Sequence, residues 1–434
     1  MCLNAFRWTD LSADEQRALL QRPAAQNDIV VNDAVAEIIQ QVRTNGDAAV
    51  RELTTRFDDI ELADFRVGDD EFEQAENELA ASAIAAIDVA ITNVQCFHEA
   101  QLPPDISIET MPGVRCERIS HPIDAVGLYV PAGTAPLPST AVMLAVPAAI
   151  VNCPIRILCT PPRTDGRADP AVLVAASRAG VRDIYKIGGA QAIAAMAYGT
   201  ESVPKVCKIF GPGNSWVTTA KRLVSTDSAG AVIDMPAGPS EVLVIADASA
   251  SAEFVAADLL SQAEHGIDSQ VLLLTTSADL AGAVERAVAT QLAGLSRANI
   301  ARQSLANSRV IIVDDLDEAI DISNRYAPEH LILQFDTARD RLRDIRNAGS
   351  VFLGHWTPES VGDYCSGTNH VLPTYGFARA YSGLGTEQFL RQMSVQELSA
   401  DGLVRIGNTT AELANLEGLD GHAAAVQIRL EAVS

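Results

Sequence analysis

Four side chains able to hold a metal stand far apart in the chain: Gln262 and His265 in LLSQAEHG, Asp363 in VGDYCSGTNH and His422 in LEGLDGHAAA. The apolar run from Phe254 to Leu260 reads as a helix, and a spacing of three residues puts Gln262 and His265 on one of its faces. If Asp363 and His422 arrive from their own segments, the four form a nitrogen and oxygen donor set without sulfur. Such a set suits zinc, or less well manganese, in a polar catalytic site. Taken alone, QxxH is also the pattern of a solvated helix end, so the surrounding text has to decide.

Three glycine-bearing loops carry a second chemistry: VPAGTAPLPST at 130–140, IGGAQAI at 187–193 and FGPGNSWVT at 210–218. Each follows a strand-like run and precedes a helix-like stretch. Glycine permits close backbone approach, and the free amides at a helix start bind phosphate oxygens, so a dinucleotide is a plausible guest. None of the three is the GxGxxG fingerprint of a standard Rossmann domain, and any one of them read alone is an ordinary turn.

The elements that must position these groups are legible in outline. The first hundred residues read as helical. Asn32 can cap a helix with Val35, Ile38, Ile39 and Val42 on one stripe, and Asn45-Gly46 can end it. A second helix through Val50, Leu53 and Phe57 follows, then an alanine-rich one from Glu76 to about Glu99, before Pro103-Pro104 interrupts. From Asp124 the runs AVGLYV, IRILCT, DIYKI, VCKIF and AVIDM alternate with helical stretches, which argues for parallel α/β structure. A second series, EVLVIAD, QVLLLT, RVIIV, HLILQF and SVFLG, repeats the pattern, with the boundary near MPAGPSE at 235–241. After Leu384 the chain reads as helices and a polar tail.

Composition bounds the rest. At 434 residues two or more domains are expected. With 56 acidic against 32 basic residues the net charge is −24, which repels nucleic acid and anionic membrane surfaces. The seven cysteines are odd in number and show no CxxC spacing, so neither a disulfide framework nor a zinc ribbon is indicated, and a reducing compartment is expected. The N-terminus lacks the basic start and apolar run of a signal peptide, and the stretch Ala141–Val151 is too short to span a bilayer. The expectation is a cytoplasmic protein with no nucleic-acid or membrane partner.

The motifs GLYVPAGTAPLPST, KIGGAQAIAAMAYGT, GPGNSWVTTAKR, DMPAGPSEVLV, LLSQAEHGIDSQ, NRYAPEHL, SGTNHVLPTYG and LEGLDGHAAAV together resemble the histidinol dehydrogenase family, from the helical N-terminal region to the tail. The resemblance implies NAD-dependent four-electron oxidation of L-histidinol through L-histidinal to L-histidine, with one zinc per subunit gripping the substrate. It implies Gln262, His265, Asp363 and His422 as zinc ligands and Glu329 with His330 as the acid–base pair. It implies Ser240 and Glu417 as substrate contacts, joined by His330 and the zinc ligands, and Tyr129, Gln191 and Asn214 at NAD. It also implies a homodimer in which the tail crosses, so that Glu417 and His422 complete the opposite subunit's site.

The fold implied is α/β: two incomplete Rossmann-like domains, one inserted in the other, with small helical N- and C-terminal extensions. The boundaries expected are 1–25 for the N-terminal helical extension, 26–128 plus 240–384 for the outer domain with zinc and catalytic residues, 129–239 for the inserted NAD-binding domain, and 385–434 for the crossing tail. One departure is visible. Ala132 stands where the family usually has the first glycine of PGG, and at positive φ an alanine would cost roughly 1 kcal/mol. His355 is read as a surface histidine, His370 as structural before chemical, and Cys153 as a packing residue because no basic neighbour lowers its pKa. The competing readings are a related dehydrogenase for another amino- or sulfo-alcohol, a zinc hydrolase in which Glu329 activates water, and a non-catalytic binder on the same scaffold. The glycine loops have no role in the second, and intact ligands and bases speak against the third.

Overall fold

The computed structural model describes residues 4–23, 29–132, 136–236 and 238–433. The chain opens with strand β1 (Asn4–Arg7) and helix α1 (Ala13–Leu19), then runs through α2 (Ile29–Asp58), α3 (Asp69–Glu78) and α4 (Ala81–Glu99) to the hairpin β2 (Ile106–Met111) and β3 (Val114–Pro122). A first α/β series follows: β4 (Ala125–Tyr129), α5 (Pro138–Ile150), β5 (Ile155–Thr160), α6 (Pro170–Arg178), β6 (Asp183–Lys186), α7 (Gly189–Tyr198), β7 (Lys208–Phe210), α8 (Ser215–Ser225) and β8 (Val232–Ile233). The second is β9 (Glu241–Ala246), α9 (Ala252–Ala263), β10 (Gln270–Thr275), α10 (Ala278–Leu292), α11 (Ala298–Ala306), β11 (Arg309–Ile312), α12 (Leu316–Tyr326), β12 (His330–Gln334), β13 (Ser350–Leu353) and α13 (Glu359–Tyr364). The tail is β14 (Leu390–Leu398), α14 (Ala400–Leu416) and α15 (Asp420–Val433).

Strands β4 to β8 form a five-stranded parallel sheet in the order β6-β5-β4-β7-β8, and β9 to β13 together with β1 form a six-stranded parallel sheet, β1-β11-β10-β9-β12-β13. Strands β4, β9, β10 and β12 are buried along their whole length, as continuous aliphatic runs covered on both faces must be. Because β1 lies at the far edge of the six-stranded sheet, the chain starts in that unit, leaves it, and re-enters at β9. The five-stranded unit is an insertion, as the resemblance implied.

Three sequence expectations are corrected. The segment expected as a helical N-terminal extension contains β1, paired in parallel with β11 from Asn4↔Arg309 to Arg7↔Ile312. The tail, read as free of strands, begins with the nine-residue β14, which pairs antiparallel with β3 in a small sheet ordered β14-β3-β2. Both strands are mostly exposed and polar, so no period-2 apolar signal marks them. The helices of 29–99, grouped with the outer domain in the expected boundary 26–128, pack on the inserted unit: α2 lies on α7 and α8, α3 on α6, and α4 on α5. The stripe Val35, Ile38, Val42, Val50 and Leu53 shares one core with Tyr129, Ile157, Ile193 and Ile209, because the alanines of α7 let α2 approach closely. The strand-like segment at 65–67 then bonds to the edge of β6, through Val67 N to Ile184 O (2.9 Å) and Lys186 N to Phe65 O (2.8 Å).

Candidate functional site

Two sheet edges supply the site. In the five-stranded sheet the strand order reverses between β4 and β7, and at such a switch point the loops leaving the carboxyl ends open a crevice. Tyr129 ends β4, and its hydroxyl accepts the Gly189 amide at 3.0 Å, joining the first glycine loop to the second. Burial raises the pKa of that phenol, so it stays protonated. Gly211, after β7, has φ +117°, and a Cβ there would be driven into the Tyr129 carbonyl; only glycine fits. The loop is fastened underneath: Lys221 donates to the Gly211 carbonyl (2.7 Å) and to Asp234, which accepts the Gly211 amide at 2.8 Å.

Helices α5 and α7 begin without a side-chain cap at the N-cap residue, and the first amide of α7, that of Gly189, is the one that Tyr129 accepts. Helix α8 is capped by Asn214, whose side-chain oxygen accepts from Trp216 and Val217, both at 3.1 Å. Its side-chain NH2 is the group left for a ligand. Gln191 is buried in the first turns of α7 beside Gly189. Ala132 is not among the described non-glycine residues with positive φ, which are Asp59, Asn152, Ala327 and Tyr375, so the expected left-handed strain is absent.

The second edge is the amino end of the six-stranded sheet. Helix α9 starts at its Ser251 cap and runs back to this edge, delivering Gln262 in its last turn and His265 just beyond. Helix α13 delivers Glu359 and Asp363, four residues apart on one face. His330 is the first residue of β12. Ligand atoms of His265, Glu359 and Asp363 lie within 4.8 Å of one another. Gln262 is 1% exposed, yet neither its Oε1 nor its Nε2 has a hydrogen-bond partner, and Glu359 Oε1 and His330 Nε2 are likewise buried without one. Orphaned atoms of this kind are costly unless something fills the space between them. A cation bound by nitrogen and oxygen donors fits that requirement, and zinc fits the donor set.

His330 is held in one orientation. Its Nδ1–H donates to the Glu241 carbonyl at 3.1 Å, so Nε2 is the nitrogen that takes or gives up a proton, and it faces Asp363 Oδ1 (3.6 Å) and Glu359 Oε1 (3.9 Å). The Glu241 amide donates to Glu329 Oε2 at 2.8 Å, so one residue of β9 grips both members of the EH pair through its main chain. Burial favours the neutral imidazole, but Glu329, with Asp363 and Glu359, outweighs it and pushes the pKa of His330 up to about 10. Burial pushes Glu329 and Glu359 each up to about 8. Burial also works against ionised Asp363, but the facing His330 imidazole, with His370 beside it, prevails and holds it well below the usual range. Glu329, Glu359 and His330 thus hold their protons into the neutral range, and a dication bound among them would displace those protons.

Of the residues picked from sequence, His265, Asp363, Glu329 and His330 converge here, Gln262 lies in the last turn of α9 three residues before His265, and Ser240 directly precedes β9. Tyr129, Gln191 and Asn214 line the other edge. Glu417 and His422 do not join the cluster: both are exposed, between α14 and α15 and in the first turn of α15. His265 is itself exposed at the mouth, though crowding by the protein lowers its pKa, with Asp363 acting the other way.

Sequence reading passed over Glu359, although its i, i+4 spacing to Asp363 was a usable signal. His370, read as structural before chemical, has one ring nitrogen hydrogen-bonded to the Ser139 backbone. That ring is crowded enough for burial to lower its pKa, it feels the charges of Asp363, His330 and His265, and its Nε2 has no partner. Cys153 is buried with its thiol pushed up to about 11 by burial, as a packing residue should be. His355 pairs with Asp336 at 3.2 Å in an exposed setting.

The family model described as histidinol dehydrogenase matches residues 20–430. A histidinol dehydrogenase of Xanthomonas oryzae pv. oryzae is 57% identical over 423 residues, 98% of each chain, and one of Vibrio vulnificus is 55% identical over 424 residues, 98% of this chain and 97% of that one. The crystal structure of histidinol dehydrogenase from Elizabethkingia anophelis superposes with a TM-score of 0.96 at 44% identity, covering 99% of this chain and 98% of the other.

Proposed function

This chain belongs to the histidinol dehydrogenase family, and from that premise we propose that Glu329 and His330 move the protons of its reaction, while Gln262, His265 and Asp363, with the partner subunit's His422, hold its zinc. The activity is the NAD-dependent oxidation of L-histidinol to L-histidine, the last step of histidine biosynthesis, in a zinc enzyme. When bound, zinc would hold the substrate in place and NAD would accept a hydride in each of the two oxidations.

The protein's own groups do the rest. With its Nδ1–H fixed on the Glu241 carbonyl, His330 presents Nε2 as the base that takes the hydroxyl proton while hydride leaves the same carbon, giving the aldehyde. A bound cation that offset Asp363 and Glu359 would remove two of the partners that keep the imidazole's proton and would lower its pKa, with Glu329 still favouring the proton. Glu329, held by the Glu241 amide, activates the water that hydrates the aldehyde. A second proton and hydride then leave the hydrate to give the carboxylic acid. Ser240 and the partner subunit's Glu417 contact the substrate, the carboxylate pairing with the remaining imidazole N–H. Tyr129, Gln191 and Asn214 contact NAD at the switch point of the other sheet.

The supporting observation is the pinned ring of His330, whose other nitrogen faces the orphaned donor cluster. The homodimer is supported by the tail, where Val404, Leu413, Leu416, Leu419 and Ile428 are all exposed in the single chain. Cytoplasmic location fits the acidic composition, and no single helix among the described residues is long and apolar enough to cross a membrane. The test is to assay zinc-loaded His330→Asn and Glu329→Gln on L-histidinol and on L-histidinal separately. His330→Asn should slow both oxidations by about 10²- to 10⁴-fold, and Glu329→Gln should fall mainly on the aldehyde. Full histidinal oxidation by Glu329→Gln overturns the assignment.

A further inference from the structure

The grip on the catalytic pair originates in the first two dozen residues. The side chain of Arg22, beyond α1, is largely buried, and its Nε and Nη2 fork onto both carboxylate oxygens of Glu241, with Nη2 to Oε2 at 2.9 Å. Nη2 also donates to the carbonyls of Tyr326 (3.0 Å) and Ala327 (3.3 Å), and the guanidinium lies 3.9 Å above the Tyr326 ring. Glu241 is the residue whose amide holds Glu329 and whose carbonyl holds His330. Ala327 closes α12 in the left-handed conformation, φ 54°, two residues before Glu329. One guanidinium therefore ties together the strand that clamps the pair and the turn that delivers it.

We propose that Arg22 is a positioning residue for this reaction, setting where the Glu329 carboxylate and the His330 ring stand without touching substrate. The inference rests on the reading of Glu329 and His330 as the proton-moving pair. Only a planar fork can serve two carboxylate oxygens, two carbonyls and a ring at once, so lysine is a poor substitute. Without the fork, the buried Glu241 carboxylate keeps one partner, the Tyr375 amide at 2.9 Å, and β9 can shift relative to β12.

The test compares full-length, zinc-loaded Arg22→Met and Arg22→Lys with wild type, with and without millimolar guanidinium ion. A displacement of about 1 Å at the pair costs roughly 100-fold, so Arg22→Met should lose about 10- to 100-fold in kcat. Zinc content and KM for L-histidinol should stay close to wild type. Guanidinium should restore a measurable part of the lost kcat in Arg22→Met and none in Arg22→Lys, whose own ammonium fills the space. Unchanged kcat in the folded Arg22→Met protein, or a loss that follows zinc content and ignores guanidinium, overturns the inference. Should Arg22→Met fail to fold, Arg22→Lys carries the same comparison: kcat reduced at constant zinc and KM supports the role, and wild-type kcat overturns it. Glu329→Gln run in parallel separates the two levels. Wild-type rates in that variant remove the reading of the pair, whereas its loss beside an intact Arg22→Met removes only the role of Arg22.

Discussion

Replacing Gln262 with leucine should make the metal-free protein more stable and the zinc-loaded protein worse, an inversion that a core residue does not show. Gln262 is 1% exposed, and both polar atoms of its amide lack partners. Leaving such a group unsatisfied costs about 1–3 kcal/mol, and a leucine of similar bulk removes the penalty. In the presence of chelator, Gln262→Leu should therefore gain on the order of 2 kcal/mol. Zinc at a hundred times its dissociation constant adds about 2.7 kcal/mol to the wild type, whereas the variant, short of one ligand and bound about 100-fold more weakly, should gain only about 0.4 kcal/mol, below the roughly 0.7 kcal/mol at which the order would no longer invert. Urea unfolding of both proteins with chelator and with excess zinc, beside a zinc-binding titration, reads the inversion directly. A variant less stable than wild type in chelator, with unchanged zinc affinity, refutes the reasoning and makes Gln262 an ordinary packing residue.

Other perturbations test neighbouring parts. Mixing His422→Ala subunits with His265→Ala subunits should recover about a quarter of wild-type activity at equal proportions, since each mixed dimer regains one intact site; no activity above the parents argues against a crossing tail. Gly211→Ala should destabilise by about 1–3 kcal/mol and raise KM for NAD, because its φ of +117° and the Tyr129 carbonyl leave no room for a Cβ. Zinc content should not change, and an unaltered KM for NAD would detach that loop from the nucleotide. Asp258 lies on the buried face of α9, accepting from Gln334 and from the Glu359 amide, and burial raises its pKa from 3.8 to about 7. The folded chain thus keeps a proton that the unfolded chain releases, so this group makes stability fall as pH climbs from about 4 to 7. Asp258→Asn should flatten that stretch of the stability–pH curve, and an unchanged slope contradicts the assignment.

What the sequence disclosed, and what it hid, follows from range. Fully buried strands such as EVLVIA and QVLLLT announce themselves by composition, and the α9 spacing of Gln262 and His265 is local, so both were legible. The insertion and the role of the EH pair came through motif resemblance, not through periodicity. Edge strands β1 and β14 carry no apolar rhythm because neither is covered on both faces, and the side on which α2 to α4 pack depends on the alanine surface of α7, which no single segment encodes. The clamp on Glu329 and His330 is made by the main chain of Glu241, whose side chain answers to Arg22, 219 positions away; contacts through backbone atoms leave no residue-type signature. His370 shows the converse case, a ring read as structural whose free nitrogen emerges only when the donors around it are placed.

The most direct test is the amount of NADH formed per L-histidinol consumed by the purified zinc-loaded protein in excess NAD, beside a chelated sample. Two NADH per substrate, lost on chelation and restored by zinc, is the expected result. One NADH with release of the aldehyde, or turnover indifferent to chelation, would contradict a zinc-held substrate carried through both oxidations at a single site.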